Sequence, residues 1–180
     1  MHLLKYEQLR PAANVLGAKL ATALGRSKFE GDQATLMIPV PLHPRKRRQR
    51  GFNQSELIVR AAVRDLDRSR FELHTGNLRR ARATSSQTGL TSHQRRENVR
   101  GAFVVTTPAR VKDRSVVIVD DVYTTGTTLN ECARVLRAAG ARQIAVATVA
   151  RVYREVAEIG PQEVSNQERN GAALVEAAAG

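Results

Sequence analysis

Blocks of apolar residues alternate with polar segments along the chain, and this pattern predicts an α/β protein. Residues 6–24 carry leucine and alanine near helical spacing, and Pro11 predicts where the regular helix starts. Residues 34–41 are a strand candidate that ends in prolines. A basic loop follows, and Asn53 then opens a second helix, with Glu56 three positions later as in a capping box.

One strongly apolar strand organises the second half of the chain. Residues 116–119 are an unbroken β-branched run, which is typical of a strand buried on both faces of a parallel sheet. The fold class predicted is therefore α/β, with a parallel sheet flanked by helices. The other elements predicted here are short strands at 71–78 and 101–105, a helix at 128–139 and a strand at 143–150.

The segment between the two short strands, residues 79–100, is polar and rich in arginine. It is longer than most loops that only connect two strands, so the sequence favours a flexible basic loop that acts as a lid or binding loop. After residue 154 the apolar pattern decays. We expect a globular domain over residues 1–154 and a poorly ordered tail over 155–180, in which residues 172–178 could form a short helix.

Candidate chemistry is concentrated directly after the β-branched run. Asp120 and Asp121 follow it, where open α/β sheets bind ligands at the carboxyl edge. The turn that comes next, Thr124 to Thr128, contains Gly126 and leads into a helix, so its N–H groups and hydroxyls suit a phosphate dianion. The bland alternative is a helix start capped by Thr128, with Glu131 completing a capping box.

A second candidate site follows the first strand. Five of the six residues from Arg45 to Arg50 are cationic, again at the carboxyl end of a predicted strand. A pyrophosphate bridged by Mg²⁺ would neutralise this charge. A solvated basic run, or contact with a nucleic-acid backbone, is the alternative for each arginine.

Composition narrows the function classes. The formal net charge is +12, and the last thirty residues hold more glutamates than arginines, so the basic charge belongs to the preceding part. Few aromatic residues argue against a base-stacking platform for single strands.

The single cysteine, Cys132, falls on an apolar helical stripe and is predicted to pack in the core. No apolar run reaches the length of a membrane span, and no leader sequence is recognisable.

The segment from Val116 to Thr128 resembles the phosphoribosyl pyrophosphate (PRPP) signature of type I phosphoribosyltransferases. That resemblance implies that Asp120 and Asp121 accept hydrogen bonds from the ribose hydroxyls. It also implies that the turn binds the 5′-phosphate. The residues of that cradle would be Thr124, Thr125, Gly126, Thr127 and Thr128. Tyr123 would either stack on the substrate or cover the turn.

Further motifs, in order, resemble the ComF family, a bacterial phosphoribosyltransferase-like group associated with competence and DNA uptake. They are Pro39-Val40-Pro41-Leu42-His43, Arg50-Gly51-Phe52-Asn53-Gln54, Arg82 with Gln87 and Leu90, and Arg95 and Asn98 before Gly101-Ala102-Phe103. The likeness implies a cytoplasmic location. Many members carry an amino-terminal zinc ribbon of paired cysteines, whereas this sequence contains a single cysteine.

The resemblance implies transfer at the anomeric carbon of PRPP, with Mg²⁺ held indirectly by Asp120 and Asp121 through the bound PRPP. We expect Asp120, Asp121 and Arg82 to act in catalysis. The basic loop from Arg45 to Arg50 would contact the pyrophosphate. The substrate-binding residues expected outside the threonine turn are Arg45, Lys46, Arg50, Asn53 and Tyr123.

Three functions stay open at this stage. The chain is a PRPP-dependent transferase of unknown acceptor, a non-enzymatic protein that senses PRPP or a nucleotide and acts on DNA, or a basic structural partner of the uptake machinery with a vestigial site. The sequence leaves direct DNA binding and the oligomeric state undecided.

Overall fold

The computed structural model describes residues 2–29, 33–84, 91–123, 125–151 and 172–176, with side chains described outside 2–10, 92, 151 and 172–176. The helices in these residues are α1 (His2–Gly25), α2 (Pro44–Arg50), α3 (Gln54–Asp65), α4 (Ser92–Val99) and α5 (Thr127–Ala138). The strands are β1 (Thr35–Pro39), β2 (Phe71–Leu73), β3 (Leu78–Arg80), β4 (Phe103–Val105), β5 (Ser115–Tyr123), β6 (Gln143–Arg151) and β7 (Ala172–Glu176).

Five strands form one parallel sheet in the order β2-β1-β5-β6-β7, which confirms the predicted fold class. The β-branched run lies in β5, at the centre of this sheet. Val116, Val117, Ile118 and Val119 are buried on both faces, as their continuous apolar pattern predicts. The carboxyl ends of β1 and β5 lie side by side, because Val119 pairs with Pro39.

Each face of the sheet has its own apolar core. On one face Val117 and Val119 pack with α1 and α3, through residues such as Leu20 and Ile58. On the other face Val116 and Ile118 pack with α5 and with a separate antiparallel pair, β3 and β4. The buried thiol of Cys132 belongs to this second core, as predicted.

The two short strands with a basic connection between them are confirmed, but their boundaries differ from the prediction. Residues 71–78 form two strands in two different sheets, because the turn-forming residues Thr75, Gly76 and Asn77 let the chain leave the main sheet after Leu73. The connection contains α4, which begins with a capping box between Thr91 and Gln94. Residues 85–90, including the motif residues Gln87 and Leu90, lie outside the described residues.

Three further predictions need correction. Helix α1 starts at His2 and continues through Pro11, which removes only one intrahelical N–H donor. The basic loop is the short helix α2, because His43 caps its start and Gly51, at φ +81°, ends it. In the predicted tail, residues 172–176 form strand β7 beside β6 and not a helix, since pairing with a sheet edge overrides local propensity.

Among the described residues, none of the helices has the length and apolar character that crossing a bilayer requires.

Candidate functional site

The two aspartates lie on β5 beside the end of β1. The backbone N–H of Val40 donates to Val119 O over 2.8 Å, which fixes β1 just before the acids. Strand β5 continues through both acids to Tyr123, so the predicted strand end at Asp120 is wrong, because Val122 and Tyr123 still pair with β6. The acids therefore stand on a rigid strand.

Asp120 is held by groups from two elements. The hydroxyl of Ser55, at the start of α3, donates to Asp120 Oδ1 over 2.9 Å. The backbone N–H of Asp121 donates to the same oxygen over 3.0 Å. Asp121 in turn accepts from the N–H of Val122 over 2.9 Å. Both carboxylates are thus oriented before any ligand binds.

Burial and the neighbouring acid change the charge of Asp120 near neutral pH. Burial raises the pKa of Asp120, the negative charge of Asp121 raises it further, and the pKa reaches about 7 despite the opposing hydrogen bond from Ser55. A cation near the pair, or a hydroxyl that donates to it, would favour the ionised form.

The threonine turn and Asp120 line one open pocket. Gly126, at φ +68°, is the N-cap of α5 and, as a glycine, has no side chain to cap that helix. The hydroxyls of Thr125 and Thr127 lie 2.8 Å apart. An open helix start flanked by hydroxyls is a suitable site for a phosphate. The described residues of this pocket are Asp120, Val122, Thr125, Gly126, Thr127, Thr128 and Leu129; Thr124 lies outside the described residues.

The capping-box interpretation of this turn is wrong. The carboxylate of Glu131 accepts from the backbone N–H of Gly101 over 2.7 Å and from the guanidinium of Arg134 over 2.8 Å. It is therefore bound to the end of the β3–β4 connection instead of to the start of its own helix. The ring of Tyr123 covers the turn closely, since a Cβ at position 126 would lie 2.6 Å from the Tyr123 hydroxyl oxygen.

A basic cavity of about 190 Å³ lies beyond the end of β1. It brings together two of the predicted cations, Arg45 and Lys46, and adds Arg80 from β3. The remaining lining residues are His43, Ala83 and Thr84. His43 Nδ1 accepts from the N–H of Arg45 over 3.3 Å, so this histidine serves as a helix cap.

Sequence reasoning did not identify Arg80 as a site residue. The sequence signal for Arg80 was the two-residue period of a strand, which places its side chain on the same face as that of Leu78. In the structure both side chains on this face are buried.

The other predicted site residues lie outside the two cavities. Arg50 is exposed and reaches Gln54 over 3.5 Å. Asn53 is buried, and its Nδ2 donates to Val40 O over 2.9 Å, so it fixes the end of β1. Arg82 donates to the backbone oxygens of Asn98 and Arg100, which ties the end of α4 to the hairpin.

An apolar cleft of about 280 Å³ adjoins the acid pair on the side of α1 and α3. Asp121 and Val122 contribute to its wall, together with Leu16, Leu57 and Val149.

Comparison with known proteins agrees with this architecture. The model of the phosphoribosyl transferase domain family matches residues 10–169. A crystal structure of a hypoxanthine-guanine phosphoribosyltransferase from Bacillus anthracis superposes with a TM-score of 0.50 at 14% identity, over 83% of this chain and 76% of that one. At this identity the likeness concerns the fold.

Two curated relatives resemble the chain more closely in sequence. Competence protein F of Haemophilus influenzae is 37% identical over 116 residues, which are 64% of this chain and 49% of that protein. DNA utilization protein YhgH of Escherichia coli K12 is 34% identical over 148 residues, which are 81% of this chain and 63% of that protein. The chain thus spans about half to two thirds of the length of these relatives.

The chain belongs to the phosphoribosyl transferase domain family. Within it, the relatives confirm the ComF-type resemblance that the ordered motifs predicted.

Proposed function

We propose that this chain binds PRPP together with Mg²⁺ and transfers or senses its phosphoribosyl group. One observation carries the proposal. Asp120 of the oriented acid pair and the start of α5 line one pocket, and a basic cavity lies at the end of the neighbouring strand. A sugar with a phosphate at one end and a diphosphate at the other matches this order of charges.

Each part of the site has a role in this proposal. The turn that includes Thr125, Gly126, Thr127 and Thr128 binds the 5′-phosphate through N–H groups and hydroxyls. Asp120 and Asp121 accept from the ribose hydroxyls, which fixes the sugar by positioning. Arg45 and Lys46 contact the diphosphate from the basic cavity.

Some predicted site residues act indirectly. Asn53 holds the end of β1 from which α2 starts, and Arg82 holds α4 beside the hairpin, so both position the residues that contact the ligand. Tyr123 covers the threonine turn, and the exposed Arg50 reaches Gln54.

The residues present fit Mg²⁺. Two adjacent carboxylates, one with its pKa raised by burial and by the charge of the other, are a favourable environment for a divalent cation bound through the substrate. Mg²⁺ would supply Lewis-acid neutralisation of the departing diphosphate. No group of three or more His, Cys, Asp or Glu side chains that could hold a metal occurs in the described part of the chain.

In the transfer reaction, the bond from the anomeric carbon to the diphosphate oxygen breaks, and diphosphate leaves with the electron pair. A nucleophilic acceptor donates the pair that forms the new bond and then loses its proton. The acceptor is unassigned, and a sensor would bind PRPP without this step.

Calorimetric titration of PRPP with Mg²⁺ tests the proposal. We expect saturable binding by the native chain and a loss of affinity of at least tenfold in the Asp120→Asn/Asp121→Asn variant, because two oriented acceptors disappear. Unchanged affinity in that variant would remove the site assignment. Release of diphosphate in the presence of a panel of nucleobases would separate a transferase from a sensor.

A second function, contact with DNA in competence, is favoured by the names of the relatives and by the exposed cations of α2 and α4. In this form of the proposal the protein acts in the cytoplasm as a DNA-handling factor. Binding of single-stranded and duplex DNA across a salt series tests it, since phosphate contacts require an affinity that falls steeply with salt. Sedimentation would determine the oligomeric state.

A further inference from the structure

Arg80 is the most deeply buried cation of the candidate site. It is 8% exposed, and its guanidinium lies 5.2 Å from the centroid of the Phe103 ring. One terminal nitrogen donates to Thr84 Oγ1. Within the described residues, its buried Nε has no hydrogen-bond partner. The structure therefore holds this side chain in place and leaves part of its donor capacity unused.

In the part of the chain that the structure describes, no carboxylate contacts Arg80. The described residues that line the basic cavity include Arg80, Arg45 and Lys46 and no carboxylate. Among the described residues, none of these three cations forms an ion pair. Burial lowers the pKa of Lys46, and the charge of Arg80 lowers it further. Such crowding is unfavourable unless an anion binds between the cations.

The arrangement suits a diphosphate better than a single phosphate. A guanidinium presents a planar fork of donors that matches two phosphate oxygens, and Lys46 and Arg45 add charge from another element. In the proposed function the 5′-phosphate already occupies the turn before α5. Arg80 also lies within electrostatic reach of Asp120, whose charge raises the pKa of Arg80 against the effect of burial. Asp120 and Arg80 are therefore near enough to interact through their charges.

We propose that Arg80 is the residue that selects ligands with a diphosphate on the anomeric carbon over ribose 5-phosphate. The inference rests on the proposed function, since it assumes that the acid pair holds a ribose. It assigns discrimination to a rigid strand residue stacked on Phe103, while the exposed arginines of α2 add general attraction.

The test compares two ligands in two variants. Binding of PRPP and of ribose 5-phosphate, each with Mg²⁺, is measured for the native chain, Arg80→Gln and Arg68→Gln. Arg68 is an exposed arginine just before β2, at the opposite edge of the parallel sheet. We expect Arg80→Gln to weaken PRPP binding about 10- to 100-fold, as for loss of a charged hydrogen bond, and to change ribose 5-phosphate binding less than about threefold.

A purely structural role would give a different pattern. Equal losses for both ligands, or an unchanged PRPP affinity in folded Arg80→Gln, would overturn the inference. Arg68→Gln should leave both affinities unchanged. Arg80→Lys should recover part of the PRPP affinity, because it keeps the charge and loses the fork.

Inorganic diphosphate separates this inference from the proposed function and does not depend on a variant that folds. In the native chain, the Arg80 Nε–H resonance should shift on titration with diphosphate, and an equal concentration of sulfate should shift it much less. An unmoved resonance at saturating PRPP would overturn the role of Arg80 and leave the proposed function intact. Diphosphate binding at Arg80 without any PRPP binding would overturn the proposed function and leave diphosphate recognition by Arg80 intact.

Discussion

The hydroxyl of Ser55 donates to Asp120 Oδ1 over 2.9 Å, although the two residues are 65 positions apart in the chain. The bond joins the start of α3 to the central strand at the point where the acid pair begins. It also opposes the rise in the Asp120 pKa that burial and Asp121 cause. Ser55 therefore controls the charge of the site as well as the orientation of a carboxylate.

Replacing Ser55 by alanine should raise the pKa of Asp120 above its native value of about 7, because the bond to the ionised form is lost. The carboxyl ¹³C shift of Asp120, followed by NMR against pH, measures this. Ser69→Ala is the matched control, since the Ser69 hydroxyl donates to Asp67 on the surface. A titration of Asp120 that is the same in Ser55→Ala and native protein would contradict the assignment.

Asp121→Asn should move the same titration in the opposite direction. The charge of Asp121 is the second cause of the raised pKa, after burial, so its removal should lower the pKa of Asp120. In the native chain, PRPP affinity should increase as pH rises through about 7, because the ionised carboxylate is the better acceptor. That increase should occur at lower pH in the Asp121→Asn variant. Binding isotherms between pH 5.5 and 8.5 check this order, and identical pH profiles would refute it.

The raised pKa also has a consequence for stability. The folded pKa of Asp120 lies above its ordinary value of 3.8, so the folded state binds the proton more tightly than the unfolded chain. Its contribution to stability is complete below 3.8 and is lost as pH rises through about 7. The Asp120→Asn variant has no carboxyl group at this position and does not lose this stability. The melting temperature of the variant minus that of the native chain should therefore increase from pH 5 to pH 8. A difference that does not depend on pH would exclude this explanation.

Gly126→Ala should lower the free energy of unfolding by about 1–2 kcal/mol through strain in the threonine turn. Position 126 has φ +68°, and the new methyl group would meet the Tyr123 hydroxyl. Binding of PRPP should weaken as the turn and the start of α5 shift. Gly25→Ala is the control, since nothing lies within 4 Å of a Cβ built at position 25. Urea unfolding and calorimetry measure the two effects, and equal behaviour of the two variants would contradict the close contact with Tyr123.

Glu131→Gln should loosen the end of the β3–β4 connection. The carboxylate accepts from Gly101 and from Arg134, and its loss should cost about 1–3 kcal/mol, as for buried groups left unpaired. Glu97→Gln is the comparison, because its pair with Arg100 is exposed and spans 3.8 Å. Hydrogen exchange at Gly101 should accelerate in Glu131→Gln. Unchanged exchange there would show that the carboxylate does not hold this junction.

Local pattern was sufficient for the central strand and the turn that follows it. The apolar run of residues 116–119 fits only a strand covered on both faces, and the chain order places Asp120, Asp121 and Gly126 next to it. The order of the motifs along the chain indicated the ComF family. Covalent adjacency fixes these relationships, so the sequence could determine them alone.

Contacts between distant segments could not be obtained in this way. Arg80 was overlooked because its strand has three residues, and its position against Phe103 depends on the pairing of β3 with β4. Asn53 carried a helix-start signal, yet its amide reaches the end of β1 instead.

The sequence by itself determined the class of fold, the acid pair and the threonine turn, because strand burial and turn chemistry are local properties of the chain. Tertiary structure decided which cations line the basic cavity, that Ser55 supports Asp120, and that Glu131 holds the neighbouring hairpin. Those outcomes depend on which elements pack together and on how far burial removes a charge from water, and neither quantity is encoded in local spacing.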